Sequence, residues 1–269
     1  MKKFSSKYLL FFAPLIFVVY VLAVVIVFKE KTDQKESIAS PQGGAQSEDD
    51  HSSELPQSEE TLPVSSDSKG LDGEPDWRLV LVNFRNPMEG DPEIEFTKLS
   101  YGVTVDKRMY PDLQRMMDDA RAEGLLPIVC SGFRSEEDQK ALYNNHVESN
   151  IAKGMSREEA EAESVGWVAY PGTSEHQTGL AVDIVSLNNQ RLDSTQENTP
   201  EQRWLMENCW KYGFILRYSN GKSRITGINY EPWHYRYVGK DAAAEIYARG
   251  ITLEEYLGET YAYTEKLQD

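Results

Sequence analysis

The residue that most limits what this chain can fold into is Asp183, a carboxylate in the middle of the apolar run LAVDIVS (180–186). The run has the length and composition of a buried strand. An unpaired carboxylate buried there would be strongly destabilising, and a metal ion removes that cost. The chain has only four histidines, and two of them share a short stretch with a candidate carboxylate. His176 lies in GTSEHQTGLAVDI (172–184) beside Asp183, and His234 lies in EPWHYRYVG (231–239) beside Glu231. Zinc favours imidazole nitrogen and carboxylate oxygen, and a catalytic site keeps three protein ligands plus one water. His176, Asp183 and His234 fill those three places, so one Zn2+ ion is the expected cofactor. Glu231, three residues before His234, is then a carboxylate beside the metal, suited to take a proton from a zinc-activated water. Taken one at a time, the histidines read as satisfied core residues and Glu231 as a surface residue before a proline. Their shared setting is what favours a metal.

Around these stretches the chain mixes helices and strands. WRLVLVN (77–83) alternates and reads as a strand, and 84–106 reads as mostly irregular. Leu113, Met116, Met117 and Ala120 predict a helix over 111–124, bounded by Pro111 and Gly124. LLPIVCSG (125–132) reads as a buried strand. Ser135 caps a helix running toward Asn150, and Ser156 with Glu159 forms a capping box for another. LAVDIVS and FILRY (214–218) are strands, with one or two more in 225–239. Thr199 opens a helix ending at Gly213, Asp241 one ending near Gly250, and Thr252 with Glu255 caps the last. The later strands are joined by a turn rather than by helices, which predicts an α+β domain with a mainly antiparallel sheet flanked by helices. His146 matches no motif and reads as structural. Cys130 and Cys209 lack metal-site spacing; a bridge and two free thiols both remain open.

The N-terminal part is of another kind. Residues 8–28 are 21 residues without a charge, enough to span a bilayer. Lys2, Lys3 and Lys7 precede them, which places the N-terminus in the cytoplasm and the rest outside. Residues 30–76 carry 13 acidic and 3 basic residues with abundant Ser, Gln, Gly and Pro, the composition of a disordered tether. The predicted organisation is a cytoplasmic N-terminus (1–7), a transmembrane helix (8–28), a disordered acidic linker (29–76) and an extracellular domain (77–269). The chain carries a net −16, the first 29 residues +4 and the tether −10, so the domain keeps −10. That charge argues against nucleic acid as a partner. The domain is expected to be monomeric.

The motifs carry a family resemblance. SEHQTGLAVD (174–183) matches an SxHxxGxAxD signature and EPWH (231–234) an ExxH signature, and the chain resembles the VanY-type zinc D-alanyl-D-alanine carboxypeptidases over about residues 77–258. The resemblance implies the compact α+β fold shared with Hedgehog-type zinc domains. It implies removal of the C-terminal D-alanine from peptidoglycan stem peptides by attack of a zinc-bound water, with a zinc rather than a serine mechanism. It makes His176, Asp183 and His234 the ligands and Glu231 the general base. Arg134, in SGFRS (131–135), matches a position suited to the substrate's terminal carboxylate or a developing oxyanion. Phe133 replaces the family's usual tyrosine. Gln139, Ser174 and Tyr218 match positions lining the family's substrate cleft, and Trp233 is expected in its wall. An L,D-carboxypeptidase acting on tetrapeptide stems is the nearest alternative, and a non-catalytic zinc-containing wall-binding module a more distant one.

Overall fold

The computed structural model describes residues 75–259. The apolar run 8–28, all but the last two residues of the acidic linker, and residues 260–269 lie outside the described residues. Among the described residues no helix is long and apolar enough to cross a membrane.

A four-stranded, fully antiparallel sheet organises the domain. Its strands are β3 (Pro127–Ser131), β4 (Ala181–Ser186), β5 (Phe214–Leu216) and β6 (His234–Tyr237), in the order β3-β4-β6-β5. A separate hairpin joins β1 (Phe96–Lys98) to β2 (Thr104–Asp106). The helices are α1 (Tyr110–Ala122), α2 (Glu136–Ala152), α3 (Arg157–Val165), α4 (Pro200–Asn208), the single-turn α5 (Ser223–Thr226), α6 (Lys240–Arg249) and the short α7 (Leu253–Tyr256). The expected α+β architecture is therefore present.

Strand alternation divides the sheet into two faces. Val182 and Ile184 of β4, Tyr235 and Tyr237 of β6, and Phe214 of β5 join Leu113, Met116 and Met117 of α1 and Leu205 of α4 in one apolar core. The buried tyrosine hydroxyls are satisfied: Tyr235 donates to Gln202 Oε1 at 2.7 Å and Tyr237 to Asp112 Oδ2 at 2.8 Å. Residues between these, Asp183 on β4 and His234 and Arg236 on β6, must then face the other side. That second face carries the polar groups of the site. A small apolar cluster of Tyr143, Val147 and Ala160 holds α2 against α3 as a separate wall.

Two expectations require correction. Residues 77–83 do not form a strand: Asp76 caps a 3-10 turn at Trp77–Leu79, and Val80 is exposed. The carbonyls a strand neighbour would have used are taken by a side chain, since Arg236 donates to Arg78 O at 3.0 Å and Val80 O at 2.6 Å. The segment 84–106 is not mostly irregular at its end, where β1 and β2 pair from Phe96↔Asp106 to Lys98↔Thr104. Cys130 and Cys209 are both free.

Candidate metal centre

Register brings the key residues together. β4 and β6 pair antiparallel with Asp183 directly opposite His234. On the other side of β4, Ser131 of β3 also opposes Asp183, after a register shift between Val129 and Ser131. The shift leaves Cys130 as an extra residue, a bulge of the kind that redirects a strand end beside a site. It delivers Gly132, Phe133 and Arg134 to the mouth of the sheet. Gly132 packs so tightly that a Cβ there would collide with the Thr104 carbonyl oxygen.

His176 arrives from a loop. Glu175–Thr178 form a 3-10 turn that ends at Gly179 in the left-handed region, φ 73°. A Cβ at Gly179 would also press on Ile94 and the Asp106 backbone nitrogen, at 3.1 and 3.3 Å. Gly179 is thus required by the turn that aims His176. His176 Nδ1 donates to Gly132 O at 2.7 Å, leaving Nε2 with a free lone pair.

That lone pair points at Asp183. His176 Nε2 lies 3.3 Å from Asp183 Oδ2, and His234 Nδ1 lies 3.2 Å from Asp183 Oδ1. One donor atom from each of the three buried residues falls within 4.8 Å of the others. Imidazole nitrogen and carboxylate oxygen are the donor types that zinc favours. Asp183 Oδ1 is buried without a hydrogen-bond partner, which is the mark of an atom placed for a cation. The donor set is therefore chemically and spatially suited to one zinc ion.

The electrostatics separate the two histidines. Burial and Arg134 lower His176, although Asp183 pulls the other way. Burial also opposes charge on His234, but Asp183, Glu175 and Glu231 outweigh it and push it up to about 9. Asp183 is fully buried, and the two histidines hold its carboxyl below the usual range against that burial. Glu231 is 7% exposed, with Oε2 3.8 Å from His234 Nδ1. Burial pushes its carboxyl up to about 8; Asp183 adds to this, and His234 and Arg134 oppose it.

All nine residues singled out in the sequence line one cleft of about 310 Å³: Arg134, Gln139, Ser174, His176, Asp183, Tyr218, Glu231, Trp233 and His234. Arg134 donates to Gln139 Oε1 at 2.7 Å and to Ser131 Oγ at 3.0 Å. Among the described residues no carboxylate lies within ion-pair distance of it. Gln139 has both amide ends engaged, since its Nε2 donates to Ala169 O at 2.6 Å, so it fixes Arg134. The Tyr218 ring packs tilted against His234, with ring centroids 4.7 Å apart. Phe133, in place of a tyrosine, packs on Phe96 at 4.4 Å.

His146 has a structural role, as its sequence reading expects. Its Nδ1 meets Ser164 Oγ at 2.9 Å, a structural contact, yet its side chain also lines the cleft. Sequence reasoning missed a buried ionic group under the site. Glu175 accepts from Arg217 Nε at 2.7 Å and Arg236 Nη1 at 2.9 Å, and Arg217 makes a fork to Glu254 at 2.6 and 2.8 Å. Arginines inside the strand-like stretches FILRY and HYRYV were the available signal, because an arginine is almost never fully buried without a partner.

An antiparallel sheet bearing Asp183 and His234, with His176 brought in by a 3-10 turn and Glu231 beside them at the floor of an open cleft, is the scaffold of a single-metal hydrolase. Comparison with known proteins is more specific. The chain belongs to the VanY D-alanyl-D-alanine carboxypeptidase family, whose model matches residues 102–240. A D-alanyl-D-alanine carboxypeptidase of Enterococcus faecalis is 48% identical over 184 residues, 68% of this chain and 67% of the relative. Two solved structures are 47% identical. One, a mutant of the vancomycin resistance D,D-pentapeptidase VanY from a VanB-type cassette in complex with Zn(II), covers 68% of this chain and 99% of its own with a TM-score of 0.61. The other, VanYB in complex with D-alanine-D-alanine, covers 69% and 100% with a TM-score of 0.63.

Proposed function

We propose that this chain is a zinc D-alanyl-D-alanine carboxypeptidase that removes the C-terminal D-alanine from peptidoglycan stem peptides. One observation carries the reading: His176 Nε2, Asp183 and His234 Nδ1 converge in a cleft that also holds a buried Glu231 and an Arg134 with no carboxylate at ion-pair distance among the described residues. A structural zinc site would need neither of the last two. His176, Asp183 and His234 would hold the ion, which would supply Lewis-acid polarisation of the scissile carbonyl and acidify a water. Glu231 takes the proton of the attacking water and returns it to the leaving D-alanine amine as the peptide bond breaks. Arg134, held rigid by Ser131 and Gln139, receives the substrate's terminal carboxylate and offsets charge that develops on the carbonyl oxygen. Ser174, Tyr218 and Trp233 shape the cleft around the terminal residues. The domain acts as a monomer.

The apolar run 8–28 supports a single-pass anchor with the N-terminus in the cytoplasm and the catalytic domain outside, reaching membrane-proximal precursors. Binding of D-alanine-D-alanine by a close structural relative supports a D,D substrate over an L,D one. The test is to incubate the full-length protein with pentapeptide and tetrapeptide stems and identify the amino acid released. D-alanine from the pentapeptide alone is expected; release from the tetrapeptide alone would assign L,D specificity. Glu231→Ala should keep stoichiometric zinc and lose about 10²–10⁴-fold in turnover. His176→Ala should lose the zinc itself by elemental analysis.

A further inference from the structure

Beneath the ligand His234 lies a fully buried carboxylate to which the mechanism above gives no role. Glu175 Oε1 is occupied by Arg217 and Arg236. Its other oxygen, Oε2, is buried without a hydrogen-bond partner, and so is His234 Nε2. These two orphaned atoms face each other at 3.5 Å. A contraction of about half an ångström makes the pair an ordinary N–H···O hydrogen bond. His234 Nδ1 is the nitrogen on the side of Asp183 and Glu231, at 3.2 and 3.8 Å. A neutral imidazole that ligates through Nδ1 carries its proton on Nε2, where Glu175 is the group positioned to accept it.

We propose that Glu175 is a positioning residue: it fixes His234 as the Nε2–H tautomer, turns the Nδ1 lone pair toward the metal and raises its basicity. The inference rests on the reading of His234 as a zinc ligand. Ligating histidines commonly give their second N–H to a carboxylate, and loss of such a partner typically weakens metal binding about 10–100-fold. The surrounding ions explain how a carboxylate can do this in a dry interior. Arg217 and Arg236 offset its charge, and Arg217 is itself held by Glu254, which also accepts from Asn83 Nδ2 at 3.1 Å. Glu175 is therefore fixed from one side, with its second oxygen free to face the histidine. Its place next to His176 in the chain means that a single 3-10 turn supplies one ligand and braces another.

A structural role in the ion network is the competing explanation, and Glu254 provides the control. Glu254 shares Arg217 with Glu175 and is fully buried, yet it is not among the groups that meet His234. Zinc affinity of the full-length protein is measured by chelator competition for the wild type, Glu175→Gln and Glu254→Gln, with the visible spectrum of the Co(II)-substituted forms. Glu175→Gln should bind zinc about 10–100-fold more weakly and alter the cobalt bands. Glu254→Gln should stay within about threefold of wild type, the scatter expected when a ligand's own hydrogen-bond partner is untouched, with an unchanged spectrum. Wild-type affinity in Glu175→Gln, or equal losses in both variants, overturns the proposal. Where Glu175→Gln does not fold, ¹⁵N–¹H correlation of the wild-type zinc form decides instead. A proton on His234 Nε2 is expected, and a proton on Nδ1 overturns the assignment. Failure of the wild type to bind zinc would instead refute the metal reading itself.

Discussion

His234 and Glu231 tie metal affinity to pH. In the metal-free protein His234 is pushed up to about 9 from 6.5, and Glu231 up to about 8 from 4.5. Both native values lie above the unfolded ones, so the native state retains protons that the unfolded chain has already released. Stability from these two groups is therefore complete at low pH and is lost as pH rises, from about 4.5 to 8 for Glu231 and about 6.5 to 9 for His234. Asp183 has the opposite sign: its carboxyl lies below 3.8, and its contribution is lost as pH falls toward the native value. Zinc must displace the His234 proton, so its affinity should rise between pH 6 and 9 by up to about tenfold per unit. Chelator competition across that range checks this, and a flat profile contradicts it. Arg134 gives a separate test. Lysine keeps the charge but cannot span Ser131 Oγ and Gln139 Oε1 together. Arg134→Lys should therefore lose about 10²-fold in kcat/KM, as when one fixed donor is removed from a developing oxyanion. A fall confined to KM would assign Arg134 to the carboxylate alone.

At the scale of elements, the bulge in β3 is the joint between scaffold and site. It sends Gly132 against the Thr104 carbonyl, where Phe133 N donates to that same oxygen at 2.6 Å and Arg134 N donates to His176 O at 3.1 Å. Gly132→Ala should force the β1–β2 hairpin away from the β3 exit. The expected cost is about 1–3 kcal/mol, read from the urea midpoint, together with weaker zinc binding, because Gly132 O orients His176. The sequence makes much of this region legible. A carboxylate in an apolar strand demands a partner, glycine and proline mark the turns, and Ser135, Ser156, Thr199 and Thr252 cap their helices as their spacing predicts. What it conceals is of one kind. Residues 77–83 have strand-like alternation, but their carbonyls are claimed by Arg236 from a strand more than 150 positions later. Likewise Glu175 is an unremarkable acidic residue until Arg217 and Arg236 close around it. Local pattern reports which face a residue occupies, whereas pairings between distant buried ions appear only once the chain has folded.

At the scale of the whole molecule, charge distinguishes the described domain from the proposed anchor and tether. The chain carries −16, of which the tether contributes −10 over residues 30–76. A domain of net −10 is repelled by an anionic membrane surface. The proposed anchor places Lys2, Lys3 and Lys7 inside. Protoplasts expressing the full-length protein with an N-terminal tag test it. External protease should cut in the tether and leave a short tagged fragment that sediments with membranes, while the domain is released as a unit whose buried core resists further digestion. Protection of the whole chain in intact protoplasts, with cleavage only after lysis, would reverse the topology. Recovery of the tagged chain in the soluble fraction would remove the anchor altogether.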